Sequence, residues 1–229
     1  MAEISREGIV QLLRQKVMMK QVVGQKTKDV FSMLRILLSD LTKELTDTIK
    51  NINDDVKVSY KENGEFEVEF TLADETLLFV MHTNIFTFDS SHEIWKSPYI
   101  KADKDRAFCG KIFIYNFLSD SFKYNRTNDI GYLIGRIFIN KENHFFVEGN
   151  KQIGRLYSDI SSTEINEKVL LQIIEAAIIY SLEFDPFTTP FEMNNEIRVG
   201  EVLDASLQSR IATGKRLGFK FITDTDIQQ

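Results

Sequence analysis

Between Phe66 and Phe146 the chain carries twelve of its eighteen phenylalanines, and through much of that block apolar and polar residues alternate at every second position. A period of two belongs to the β-strand, whose successive side chains leave opposite faces. Helical sequence stands on either side of the block. The pattern restricts the chain to an α+β fold with amino-terminal helices, a central antiparallel sheet of about six or seven strands, and a carboxy-terminal helix packed on the sheet.

At 229 residues, 43% hydrophobic and 27% charged, the chain can bury a sizeable core without metal or disulfide staples. Its formal charge of −6 weakens any global electrostatic case for nucleic acid. The single cysteine, Cys109, rules out an intrachain disulfide and fits a reducing compartment. Beside Gly110 at the start of an apolar run, it reads as a small buried residue rather than a nucleophile. The opening residues, MAEISREGIVQLLRQK, place charges inside any apolar stretch, so no signal peptide is expected. No stretch reaches the ~20 apolar residues of a membrane span. A cytoplasmic protein is the expectation.

Residues 6–22 show a short helical pattern with Ser5 as N-cap, and Gly24 suggests a break. A second helix over 28–52 follows, with Phe31, Leu34, Leu38, Leu41, Leu45, Ile49 and Ile52 on one stripe. That seam could pack on the sheet or pair with a second copy of the chain. The segment 6–35 is basic, with Arg6, Arg14, Lys16, Lys20, Lys26, Lys28 and Arg35 against Glu7 and Asp29. Strands are predicted over 56–61 and 65–72, joined at Asn63-Gly64, a hairpin signal because both residues tolerate positive φ. Others are predicted over 76–88, 107–117, 130–140, 144–148 and 152–157. The polar excursion after Asp89 reads as a long connection, and its KADKDR cluster (101–106) as a solvated loop. Ser161 and Glu164 have capping-box spacing for a helix ending near Glu183, before Asp185-Pro186. An extended FDPFTTPF strap, a helix over 199–213 and a strand-like GFKFIT complete the expectation. We read 1–229 as a single domain, divided at about 5–52 (helical), 56–158 (sheet), 162–183 (helix) and 184–223 (strap, helix and strand).

Assembled catalytic signatures are missing from the local patterns. The three histidines, His82, His92 and His144, lack zinc-helix spacing, and one cysteine excludes a thiolate cluster. His82 reads as a hydrogen-bonded core or edge residue and His92 as exposed. There is no G-x-S-x-G elbow, and ATGKRLG lacks the first glycine and the Ser/Thr of a phosphate-binding loop. Gly131 and Gly135 read as marking a bulge or a close backbone approach. No catalytic residue, metal ligand or cofactor is assigned.

The segment Asp120–Asp129, DSFKYNRTND, separates two apolar strands and gathers polar side chains. Lys123, Tyr124, Asn125, Arg126 and Asp129 are the candidate ligand-binding residues there, offering directional donors, a stacking face and a carboxylate. The expected function is a non-catalytic interaction or regulatory protein. It would bind a partner segment or small ligand on the sheet, as a homodimer. One alternative is an enzyme whose site gathers Lys123, Arg126, Asp129 and His92. Another is nucleic-acid binding through the basic amino-terminal helix, which the absence of interleaved aromatics disfavours.

Overall fold

The computed structural model describes residues 5–51, 55–184, 186–187 and 214–215. Six strands form one antiparallel meander in sequence order: β1 (Val58–Glu62), β2 (Glu67–Leu72), β3 (Glu75–Phe86), β4 (Cys109–Leu118), β5 (Tyr132–Asn140) and β6 (Phe145–Gly149). Two long helices, α2 (Met18–Lys50) and α6 (Glu167–Leu182), lie on one face. The fold class is therefore the α+β arrangement read from the alternating block. None of the described helices is long and apolar enough to cross a membrane.

The amino-terminal helix begins at Ser5, whose hydroxyl accepts the Gly8 N–H at 3.0 Å. Helix α1 (Arg6–Leu12) passes through a π-helical turn, Leu13–Val17, into α2. The expected break at Gly24 is absent. Glycine costs about 1 kcal/mol in a helix interior, but Val23 and Thr27 on either side are buried, and their packing overrides that local cost. The stripe at Phe31, Leu34 and Leu38 is buried against the sheet, and Leu41, Leu45 and Ile49 pack beside it. Full burial of a leucine such as Leu34 or Leu38 stabilises the fold by roughly 1.5–3 kcal/mol. This seam is thus occupied by the chain's own sheet, and the homodimer expectation loses the surface that motivated it. Two of the basic residues are structural: Lys28 pairs with Glu65 at 2.9 Å, and Arg35 donates to the carbonyls of Gly64 and Glu65.

Alternation holds on β2, where Val68, Phe70 and Leu72 are buried. Gly64 takes φ 89° in the turn from β1, as the Asn-Gly signal requires. On β5 the inward parity changes along the strand. Tyr132 and Ile134 reach the core before Gly135, and Ile137 and Ile139 reach it afterwards. A bulge against Ile114 and Tyr115 inserts the residue that makes this switch.

Three further expectations fail locally. Residues 152–157 are not a strand: helix α5 (Lys151–Leu156) occupies that stretch, turning so tightly on β6 that a Cβ at Gly154 would stand 2.3 Å from the Gly149 carbonyl oxygen. Helix α6 is capped by Asn166, whose side chain accepts the Val169 N–H at 3.1 Å, not by Ser161. The Ser161 hydroxyl turns instead to Asp159. The excursion after β3 is not a free loop. It contains two 3-10 turns and the short helix α3 (Pro98–Ala102), and packs as a strap on the outer sheet face. Its KADKDR cluster is anchored: Asp103 pairs with Lys141 at 2.6 Å and Arg106 with Glu142 at 3.0 Å. Of the carboxy-terminal expectations, a two-residue ladder between β7 (Pro186–Phe187) and β8 (Gly214–Lys215) is described. The remaining strap, the 199–213 helix and GFKFIT lie outside the described residues.

Candidate functional site

The strand pairings sort side chains onto two faces. Glu69, Leu78 and Tyr115 align in one row across the outer face, and Glu67, Val80, Phe113, Arg136 and Glu148 in the next. His82, Lys111, Phe138 and Phe146 form a third. The strap covers the β5–β6 side of this face, burying Ile94, Ile100, Ala107 and Cys109 with Phe138 and Phe146. Over Leu78, Val80, Phe113 and Tyr115 no described element packs, and these side chains are only partly buried. Burial inside the strap cluster pushes the Cys109 thiol far above its ordinary pKa, consistent with a packing role.

The open area is aromatic at its centre and charged at its margins. Phe113 and Tyr115 stack with ring centroids 5.6 Å apart, and Phe117 meets Phe122 edge-on at 5.2 Å. The Lys111 ammonium sits 3.8 Å from the Phe86 ring centre and 4.6 Å from that of Phe113. Burial, and then the nearby Arg136, lower its pKa against the pull of Glu148. Arg136 pairs with Glu148 and lies over Phe138. On the opposite margin the Asn63 amide donates to both Glu67 and Glu69. The arrangement offers apolar contact between a basic and an acidic edge.

The sequence-derived candidates form one loop, but their polar groups largely face one another. Helix α4 (Ser119–Lys123) opens the segment. Lys123 reaches Asp120 at 3.7 Å and the Tyr124 ring at 4.6 Å. Asn125 supplies the positive-φ turn position and is exposed. The Arg126 and Asp129 side chains, 11% and 6% exposed, pair at 3.8 Å, and Asp129 accepts the Ser121 hydroxyl at 2.8 Å. Arg126 also lies over Tyr124. Arg126 and Asp129 therefore hold the loop closed, and of the five candidates only Lys123 and Asn125 are exposed.

His92 is not the exposed residue expected. Its ring lies 4.6 Å from Phe88 and 6.4 Å from Phe146, its Nδ1 accepts the Ile94 N–H, and its Nε2 is 3.6 Å from Glu148. It belongs to the strap, beside the row containing Lys111, whereas the 120–129 loop follows Leu118. Along β4 those positions are about 23 Å apart, so His92 does not converge with Lys123, Arg126 and Asp129. His82 is hydrogen-bonded as expected, its Nδ1 accepting the Asn84 N–H at 3.0 Å and its ring packing edge-on against Phe86, but it lies partly exposed on an interior strand rather than in the core or at a sheet edge. Among the described residues, no three His, Cys, Asp or Glu side chains converge as a metal site requires.

Sequence reading does not single out Lys111, Phe113, Tyr115 and Phe117. The available signal lies in CGKIFIYNFL, where both alternating sets are rich in large side chains. A strand apolar on both faces is covered twice or presents a contact surface. Comparison of the chain with family models, curated proteins and solved structures finds no match to any of them.

Proposed function

We propose that this protein is a non-catalytic interaction protein that receives an extended segment of a partner protein on the open part of its sheet. The observation that carries this reading is the partly buried row Leu78, Val80, Phe113 and Tyr115, with no described element over it. Aromatic side chains there can bury large area at small conformational cost, and the flanking charges set direction and register. An extended peptide suits the open face because alternate side chains of a strand-like segment can meet successive rows. A cytoplasmic setting fits the single buried thiol. Homodimerisation, if it occurs, must use a surface other than the 31–49 seam, and light scattering across a dilution series reads it directly.

Native mass spectrometry of the protein isolated gently from its source cells identifies a retained polypeptide. That polypeptide is then titrated against the wild type and against Phe113→Ser/Tyr115→Ser. The double variant is expected to fold and to bind at least tenfold more weakly. Equal affinity of the two proteins would reject the sheet as the binding surface.

A further inference from the structure

The open sheet face holds charges of both signs that lack counterions, and their positions constrain what can lie on it. Glu67 and Glu69 are successive outer-face residues of β2, partly buried, and the single Asn63 amide donates to both. A neutral amide orients two carboxylates but leaves their charge uncancelled. Neither has an ion pair among the described residues, and Lys61, opposite Glu69 on β1, makes none. Across the face Lys111 is likewise without a carboxylate. Its ammonium rests on the Phe86 and Phe113 rings, 3.8 Å and 4.6 Å from their centres. Arg136 beside it is already paired with Glu148. The rings attract an ammonium but do not replace a counterion.

Glu67 stands opposite Val80, Val80 stands opposite Phe113, and Lys111 is the neighbouring outer-face residue on β4. With strands about 4.8 Å apart and alternate residues about 6.7 Å apart, Glu67 and Lys111 are separated by roughly 12 Å, with Val80 and Phe113 between them. Extended chain covers about 13 Å in four residues, and alternate side chains share one face. On the reading that the open sheet receives a partner segment, we propose that this segment carries a Lys or Arg and an Asp or Glu four residues apart, with an aliphatic residue midway. The cation meets Glu67 and Glu69, the aliphatic side chain meets Val80 and Phe113, and the carboxylate meets Lys111. Nucleic acid or anionic lipid would face the unpaired carboxylates. A second copy would bring its own strap, and the strap is a layer standing beside the open area. A single strand passes beside that layer, where a second six-stranded sheet is held off.

The test uses the full chain and fluorescein-labelled peptides in which threonine, a strand former, surrounds one of three cores: Lys-Thr-Leu-Thr-Asp, Lys-Thr-Leu-Thr-Lys or Asp-Thr-Leu-Thr-Asp. Anisotropy should show the mixed-charge peptide binding at least tenfold more tightly than either like-charge peptide, the gap narrowing as salt is added. Lys111→Glu should transfer the preference to the two-lysine peptide, and Glu67→Lys/Glu69→Lys to the two-aspartate peptide, each with a melting temperature near that of the wild type. Lys111→Gln, which removes the charge and keeps most of the stem, should abolish discrimination between the mixed-charge and two-lysine peptides, and it carries the test where Lys111→Glu does not fold. Equal affinity of the three peptides for the wild type, or binding of none, overturns the proposal. If the three bind equally and all are lost in Phe113→Ser/Tyr115→Ser, the sheet stands as the binding surface and only the charge pattern is rejected. A mixed-charge peptide that binds this variant as tightly as the wild type rejects the surface itself. A concentration-dependent dimer abolished by Glu67→Lys/Glu69→Lys, with no peptide bound, assigns the face to a second copy and equally overturns the proposal.

Discussion

At Gly110 the distance between helix and sheet is set by a missing atom. A Cβ built there would lie 1.8 Å from the Thr27 hydroxyl oxygen and 2.7 Å from its Cβ. Thr27 cannot turn away cheaply, because it is buried and its hydroxyl donates to the Val23 carbonyl at 2.8 Å. Gly110→Ala is expected to cost about 1–3 kcal/mol by overpacking, and Thr27→Ala in the same chain should recover part of it. Urea unfolding of the double-mutant cycle measures that coupling. Arg126 reaches the opposite conclusion from its sequence context. As a solvent-facing ligand group it would be removable without loss, but it is enclosed with Asp129. Arg126→Ala should lower stability by about 1–3 kcal/mol, since it leaves a buried carboxylate without its cation. Adding Asp129→Asn to the Arg126→Ala variant should recover part of the loss. Neither relation is legible in the sequence: each joins residues whose proximity depends on helix or loop placement, while local composition marks both only as glycine and polar loop.

Among the elements, the strap is where charge and structure are most closely tied. The Tyr99 hydroxyl donates to Glu142 at 2.7 Å and in turn accepts the Asn140 amide at 3.0 Å, beneath the Arg106 guanidinium. Burial raises the Tyr99 pKa to about 12, so the phenol keeps the proton it donates. The Lys141 ammonium, aided by the Asp105 N–H, holds the Asp103 carboxyl below its ordinary value. At Glu142 burial pushes upward, but the Tyr99 hydroxyl and Arg106 outweigh it and leave the pKa lowered. Both carboxylates bind protons less readily in the folded chain than in the unfolded one. Their stabilisation is complete above the ordinary carboxylate pKa of about 4, and is lost as pH falls through the lower folded values. Trp95, which packs in the strap and donates to the Asp89 carbonyl, reports the change. Its emission is expected to shift in acid, and Lys141→Met should move the Asp103 part of that transition toward higher pH. An unchanged titration in the variant would separate this pair from strap closure. The sequence marks the strap as polar and long, but its partners stand on a turn some 35 residues later, and no period connects them. Helix α5 was equally hidden: its turn depends on Gly154 meeting Gly149, while its six residues carry no cap.

Across the whole molecule, the sheet was the legible part because its information is local. Alternation and the Asn-Gly turn each act within a few residues, and every strand pairs with its neighbour in sequence. What the outer face leaves open depends on where the strap stops, a property of no single segment. The meander also makes the β3–β4 ladder the meeting line of two three-stranded halves, which the chain joins covalently through the strap. A cut between Ser90 and Ser91, both exposed, would leave α2 with β1–β3 in one fragment and α6 with β4–β6 in the other. Yet α2 reaches across to β4 and β5, and α6 to β3. Each fragment would hold the roof of the other. Co-expressed, the two are expected to reassemble and co-purify, while either alone should aggregate; chromatography of the paired and single fragments distinguishes these outcomes. The chain is thus a natural two-piece lock, and the exposed serines mark where it can be opened without losing the key.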